Sequence, residues 1–241
     1  MPHKKTIFFD ASGTLFYINQ GVGHHYSRIA KTYGVLVDAD YLDTRFHDIY
    51  AKSSHTVSEQ SEKKWWRDIV TLVFEDVIFP ADDTENSSFD LFFDEVYAFF
   101  QQGAEEEERA WTLFPETREV LEHLSALHYP LGIISNFDSR IETILKNLDI
   151  FHFFKTITYS TEAGFAKPSV HIFQQALKKA GCTAKDGIHI GDHLVFDIEG
   201  AENAGMQAFL IDRQGKQQRK QNEQQTGKNV IRDLREIYER I

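Results

Sequence analysis

The chain has a single cysteine, Cys182, among 241 residues. No intrachain disulfide can form, so a reducing cytoplasm is the expected compartment. A lone thiol outside any motif is expected to be a small core residue. Positive charge is also scarce: 26 Lys and Arg stand against 37 Asp and Glu, a formal net charge of −11. Binding nucleic acid or anionic lipid needs clustered cations, so neither partner is expected. A small anionic substrate remains compatible with this balance, because a local cation site overrides the global field. No uninterrupted apolar run approaches the ~18 residues of a membrane helix. Met1–Lys5 leads straight into a strand-like run and offers no secretory apolar region. Internal repeats are absent too.

What the chain does have is 41% hydrophobic and 13% aromatic residues, enough for a substantial core. Strand-like runs recur at Thr6–Phe9, Leu131–Ser135, Thr156–Tyr159, Ile188–Ile190 and Ala208–Ile211. Between them lie helical stripes: Val120, Leu121, Leu124 and Leu127; Ile141, Ile144, Leu145 and Leu148; Ile172, Phe173, Ala176, Leu177 and Ala180. Alternating strand and helix predicts an α/β fold, a doubly wound parallel sheet with helices on both faces. Residues 16–109 break that rhythm. Tyr26, Ile29 and Tyr33, then Trp65, Trp66, Ile69 and Val73, then Phe89, Phe92, Phe93, Val96 and Phe99 fall at helical spacing. We read a helical insert at 16–109 within a core formed by 1–15 and 110–241. An insert leaving and re-entering at the carboxyl edge of a sheet can cover a site there. Glu105–Glu108 reads as a solvated run at the return linker, and Gln214–Lys228, with Lys216, Arg219 and Lys220, as a polar surface loop. The stripe Ile231, Leu234, Ile237 and Ile241 predicts a terminal helix packed on the sheet.

Four segments carry chemistry. Asp10 ends the first strand and is followed by Ala11-Ser12-Gly13-Thr14. A carboxylate at the mouth of an open α/β sheet sits where such folds bind ligands, and it can serve as a covalent nucleophile, as in aspartyl-phosphate enzymes. The plain alternative is a strand with a polar turn. Ser135 and Asn136 end the second core strand with a hydroxyl and an amide suited to phosphoryl oxygens; the alternative is helix capping by Asp138 or Ser139. Lys167 precedes Pro168, which favours an extended backbone at the lysine and a helix beginning beyond the proline. A lysine held there neutralises an aspartyl nucleophile and the phosphate it receives; otherwise it is an exposed residue before a helix. In His189-Ile190-Gly191-Asp192-His193-Leu194-Val195-Phe196-Asp197, two carboxylates lie five positions apart across a strand-to-helix turn. With Asp10 they form a hard oxygen set suited to Mg²⁺, although Asp197 could simply cap the next helix. Without a cation, three such carboxylates repel and raise their own pKa values.

In this order and spacing the four segments resemble the haloacid dehalogenase superfamily of hydrolases, over essentially the whole chain. The resemblance implies a Rossmann-like core with an inserted helical cap domain of the first type. It implies Asp10 as nucleophile, Ser135 and Lys167 as phosphoryl-holding groups, and Mg²⁺ held by Asp10, the backbone carbonyl of Ser12 and Asp192. Asp197 would orient Lys167 or a water on the metal. Trp65-Trp66, Ser135–Asp138 and Glu162–Pro168 resemble one branch of the superfamily in particular. One position departs from its phosphatases, which usually carry a second aspartate as general acid and base two residues after the nucleophile. Here that position is Ser12, whose hydroxyl is a poor base. Superfamily members lacking this aspartate include dehalogenases and phosphonatases. A dehalogenase predicts loss of the metal motif, yet Asp192 and Asp197 are present. A phosphonatase needs a cap lysine, and nothing marks Lys31, Lys52, Lys63 or Lys64. His24 and His25 could replace the missing acid; the alternative is a surface pair on the first cap helix. His193 is expected to be a turn residue contributing its backbone.

The expectation is therefore a Mg²⁺-dependent hydrolase of a small phosphorylated metabolite, slowed by Ser12. An impaired enzyme serving as a binding or regulatory module, and a dehalogenase or phosphonatase, stay open beside it.

Overall fold

The computed structural model describes residues 4–53, 58–80, 87–102, 109–215 and 229–241. The expected Glu105–Glu108 run, most of the Gln214–Lys228 loop and Met1–His3 lie outside the described residues. The chain divides into two compact units, Met1–Tyr17 with Leu113–Ile241, and Ile18–Thr112.

The first unit is built on a six-stranded sheet in the order β5-β4-β1-β6-β7-β8, parallel throughout. Its strands are β1 (Thr6–Phe9), β4 (Leu131–Ser135), β5 (Thr156–Tyr159), β6 (Gly187–Gly191), β7 (Gln207–Ile211) and β8 (Val230–Ile231). Every residue of β1, β4, β5 and β6 is buried. That is the signature of parallel strands covered on both faces, and it explains why Ile7-Phe8-Phe9 reads as a continuous apolar run. The helices of this unit are α5 (Thr117–Ala126), α6 (Ile141–Asn147), α7 (Ser160–Ala163), α8 (Val170–Ala180) and α9 (Gly200–Asn203). A π-helical turn, Leu194–Glu199, precedes α9. Ile172, Phe173, Ala176 and Leu177 of α8 pack with Ile198, Ala201, Phe8, Ile134, Ala208 and Leu210 in one buried cluster.

The second unit contains α1 (Val22–Thr32), α2 (Ala39–Lys52), α3 (Glu62–Val73) and α4 (Ser88–Gln102). Tyr26, Ile29, Ile69, Val73, Phe92, Phe93 and Val96 form its core, with Tyr33, Trp65, Trp66, Phe89 and Phe99 packed around them. The aromatic stripes are thus a structural core. A two-stranded ribbon, β2 (Phe16–Ile18) with β3 (Trp111–Leu113), lies where the chain passes from one unit to the other and back.

Several local expectations need correction. The ribbon was not foreseen, because its strands are only three residues each. The terminal stripe is not one helix: Ile231 belongs to β8 at the sheet edge, and only Leu234–Glu239 turns, as a 3₁₀ segment with Leu234 and Ile237 buried. Leu127 falls on the C-cap of α5 and is exposed, so it leaves the stripe of Val120, Leu121 and Leu124. Cys182 is half-buried against the α8 cluster, at the rim of the core.

Gly132 shows how tightly the central strands meet. A Cβ there would lie 2.7 Å from Thr156 Oγ1 and 2.8 Å from the Phe8 ring. Both neighbours are buried in the adjacent strands. Replacing glycine gains about 0.4–1 kcal/mol from a stiffer unfolded chain. Overpacking a core costs about 1–3 kcal/mol, so the clash wins. Gly132→Ala should lower the urea midpoint by an amount equivalent to about 1–2 kcal/mol. An unchanged or higher midpoint would show that β4 has slack beside β1.

Candidate active site

The carboxyl ends of β1, β4 and β6 lie side by side because the sheet order is β4-β1-β6. Asp10 follows β1, Ser135 ends β4 and Asp192 follows β6. Chain reversal around β1, with β4 and β5 on one side and β6 to β8 on the other, makes this the crevice where open α/β sheets take ligands.

Asp10 is buried, and its backbone N–H is anchored on the Ile190 carbonyl at 2.8 Å. Its Oδ1 accepts from Ser135 Oγ at 2.8 Å and from Lys167 Nζ at 2.6 Å. Both bonds end on one oxygen, so neither occupies Oδ2. Lys167 Nζ also donates to Asp197 Oδ1 at 2.5 Å. Asp197 accepts further from His189 Nε2 at 2.9 Å and, on Oδ2, from the His193 backbone N–H at 3.0 Å. Asp10, Asp192 and Asp197 each offer an oxygen within 4.8 Å of the others, a group able to hold a metal ion.

The charges explain the electrostatics. Burial pushes the Asp10 carboxyl above its ordinary range; Lys167 works against this and Asp197 adds to it. Asp192 is pushed up to about 7, first by burial and then by the negative charges of Asp10 and Asp197. Burial also acts to raise Asp197, but the Lys167 ammonium and the His189 hydrogen bond outweigh it and hold the group well below its usual range. Burial alone would drive the proton off Lys167; Asp10 and Asp197 reverse this and keep it charged. A buried ion pair of this kind is costly to form and costlier to break from one side.

The surrounding chain keeps these groups in place. Gly13 has φ +89°, and a Cβ on it would lie 2.4 Å from Asp192 Oδ2. Only glycine lets the loop after Asp10 press against that carboxylate. Asn136 is turned away from the Asp10 oxygens: its carboxamide accepts from Lys167 N at 2.6 Å and donates to Lys167 O at 2.9 Å. The amide thus clamps the backbone of the lysine, whose peptide bond to Pro168 is cis. α8 begins beyond that proline, with Ser169 as its N-cap.

Other sequence candidates resolve differently. Asp138 holds Arg140 through its backbone N–H and its guanidinium in a buried pair, while Arg140 occupies the N-cap of α6. His193 contributes its backbone as expected, but its ring also caps the π-helical turn, accepting from Phe196 N at 3.2 Å. His24 and His25 are not a surface pair. His25 is buried beside Phe99 and Phe100 with Nε2 2.8 Å from the Asn19 carbonyl; His24 is half-buried.

Two residues were missed. His189 stood in the quoted segment without a role; an ionisable residue between Ile188 and Ile190 in a buried strand was the available signal. Arg213 follows β7, donates to the Thr14 carbonyl at 2.8 Å, pairs with Glu116 and stacks 3.7 Å over Phe114. It braces the loop that carries Asp10, across a sequence distance that leaves no local trace.

The crowding of carboxylates has a measurable cost. A carboxyl whose folded pKa lies above its unfolded value costs no stability below about pH 4, and the full penalty is present above the folded value near 7. Asp192→Asn should therefore raise the thermal midpoint at pH 8 in chelator, by an amount equivalent to about 1 kcal/mol. Added Mg²⁺ should raise the midpoint of the natural chain more than that of the variant. A variant less stable in chelator would show that Asp192 makes a compensating contact.

The sequence model described as haloacid dehalogenase-like hydrolase matches residues 4–205. Haloacid dehalogenase-like hydrolase domain-containing protein 3 of Xenopus laevis is 30% identical over 213 residues, covering 86% of this chain and 84% of that protein. Glyceraldehyde 3-phosphate phosphatase of Methanothermobacter thermautotrophicus is 35% identical over 130 residues, covering 52% of this chain and 57% of that protein. Among solved structures, a HAD phosphatase from Thermococcus onnurineus superposes with a TM-score of 0.65 at 20% identity, covering 98% of this chain and 96% of the other. By the match across most of its length and the relative at 30% identity, this chain belongs to the haloacid dehalogenase-like hydrolases.

Proposed function

We propose that this chain is a Mg²⁺-dependent hydrolase of a small phosphomonoester, working through an aspartyl-phosphate on Asp10. The observation that carries the reading is the position of Asp10: its Oδ1 is held by Ser135 and Lys167, and its other oxygen is left to attack. The phosphatase name of one relative supports the same substrate class.

In the first step the free oxygen of Asp10 forms a bond to phosphorus, and the bond from phosphorus to the alcohol oxygen breaks. The departing oxygen takes its proton from solvent water, since Ser12 supplies none. In the second step water attacks the phosphoryl group and gives up a proton to solvent, the bond to Asp10 breaks, and phosphate leaves. Lys167 and Ser135 face the oxygens on which charge builds in both steps. Fixed donors in a site shielded from water are worth far more there than in solution.

The residues present fit a divalent cation. The donors are hard oxygens, and Gly13 leaves open the space against Asp192 that a Cβ would fill. Asp10, Asp192 and the Ser12 carbonyl would hold the ion. Asp197, with both oxygens taken by Lys167, His189 and His193, holds the lysine instead. The ion when bound would offset the negative charge of the carboxylates and the phosphoryl group.

Ser12 sets the pace. A positioned carboxyl typically contributes about 10²–10⁴-fold to steps that move a proton, and a serine hydroxyl cannot take one from water near neutral pH. Substrate choice falls to the helical insert, which the family resemblance casts as a cap.

Asp10→Asn should abolish turnover of an aryl phosphate while leaving the thermal melt intact, because an amide is not a competent nucleophile. Activity near that of the natural chain would remove Asp10 from the mechanism. Ser12→Asp should speed phosphate release in single-turnover experiments by about 10-fold or more. The natural chain should show a burst of alcohol with phosphate retained on the protein. Phosphate binding without turnover in both proteins would favour a regulatory module over an enzyme.

A further inference from the structure

One buried ionisable group lies behind the site and takes no part in the proposed steps. His189 sits in β6 between Ile188 and Ile190, wholly excluded from solvent, with Phe173 edge-on to its ring at 5.4 Å. An imidazole in this position must find its hydrogen bonds within the protein. Nε2 has one, to Asp197 Oδ1 at 2.9 Å. Nδ1 has no partner among the described residues. A carboxylate oxygen can only accept, so Nε2 is the nitrogen that carries a proton. An apolar side chain would fill the same space against Phe173 without stranding Nδ1, so packing does not account for a histidine here.

What else Asp197 holds shows what the histidine does. The Oδ1 that accepts from His189 also accepts from Lys167 Nζ at 2.5 Å, and that ammonium reaches Asp10 Oδ1 at 2.6 Å. The groups form a row: imidazole, carboxylate, ammonium, carboxylate. Lysine is a point charge on a flexible four-carbon stem, so its ammonium stays where its acceptors stay. Asp197 in turn is a short side chain free to rotate unless its oxygens are pinned. The His193 N–H pins Oδ2 at 3.0 Å, and His189 pins Oδ1.

We propose that His189 is a positioning residue: through Asp197 it sets where the Lys167 ammonium stands against the carboxylate of Asp10. The effect on rate rests on the reading of Asp10 as nucleophile; the effect on the lysine does not. Partners that orient a metal-binding side chain from behind cost about ten- to a hundredfold in metal affinity or activity when removed, and the lower end of that scale is taken for a partner that orients a lysine.

The test compares three variants, His189→Leu, His189→Gln and His189→Asn. A glutamine carries its amide nitrogen to about the place of Nε2, whereas the shorter asparagine carries it to about that of Nδ1. With saturating Mg²⁺ and an aryl phosphate, His189→Leu should lower kcat about tenfold with little change in KM. His189→Gln should recover most of the loss and His189→Asn should not. The second readout is the ¹⁵N NMR signal of the Lys167 ammonium, identified by its disappearance in Lys167→Met. It should be sharp and slow to exchange with water in the natural chain and the glutamine variant, and broadened or lost in the other two. A leucine variant with unchanged kcat and an unchanged ammonium signal overturns the proposal. So does an asparagine variant that matches glutamine in both readouts. If the natural chain hydrolyses no phosphomonoester but the ammonium signal follows the glutamine–asparagine pattern, the positioning role stands and the assigned reaction falls.

Discussion

The bridge from Lys167 to two carboxylates is the interaction on which the site depends. Its ammonium is buried and lies 2.6 Å from Asp10 and 2.5 Å from Asp197. The ammonium favours the ionised form of both carboxylates against their burial, and they in turn hold the proton on the lysine. Among the described residues no cation pairs directly with Asp192, and burial, then the negative charges of Asp10 and Asp197, push its carboxyl up to about 7. With all three carboxylates ionised, the cluster would exceed its ammonium by two negative charges, which is the charge of one divalent ion. The proposed cation follows from that imbalance as much as from the family. In the ligand set we propose, Asp10, Asp192 and the Ser12 carbonyl would hold it, while Asp197 stays engaged with Lys167, His189 and His193.

The fold makes this crowding possible. Ser135 reaches Asp10 across 125 positions and Lys167 reaches it across 157. Parallel strands in the order β4-β1-β6 bring their carboxyl ends to one edge, so residues distant in sequence become neighbours with no local preference for one another. The supports are equally non-local. Asn136 clamps the backbone of Lys167, and Arg213 ties the Thr14 carbonyl to Glu116 and the Phe114 ring. Each removes freedom from a residue that holds the charge cluster, which is how a strained electrostatic arrangement persists in a marginally stable chain.

The difference between what could and could not be read in advance follows from this. The runs Thr6–Phe9, Leu131–Ser135 and Thr156–Tyr159 coincide with strands because fully buried parallel strands are rich in β-branched, aromatic and aliphatic residues, a signal contained in a few consecutive residues. β8 and the ribbon strands are two or three residues long and carry no such signal; they exist because a neighbouring edge supplies the hydrogen bonds. In the site, Asp10, Ser135, Lys167 and Asp192 could be nominated because each stands at the end of a strand or at a turn with chemistry to offer. The roles of Asn136 and His189 could not. An amide beside a serine looks like a ligand for phosphate until its partner, 31 positions away, is known. His25 was misplaced for the same reason: a histidine next to another on a helix looks solvated, but this one's neighbours are Phe99 and Phe100 from a different helix.

Ser12 can be understood in the same electrostatic terms. It stands two residues beyond Asp10, on a loop so close to Asp192 that its next residue, Gly13, has no room for a Cβ. An aspartate at that position would add a fourth carboxylate near a cluster that already sets three carboxylates against one ammonium. Each further negative charge raises the cost of the cation-free fold and pushes neighbouring carboxyls toward protonation. The neutral hydroxyl avoids that cost and, in the mechanism we propose, gives up a proton-transfer group. Rate and cation-free stability therefore pull in opposite directions at this one position, a common relation where active sites concentrate like charge. On the proposed reading, serine would leave the cluster less dependent on a bound cation to stay folded, and the chemistry more dependent on water finding its own route for the proton.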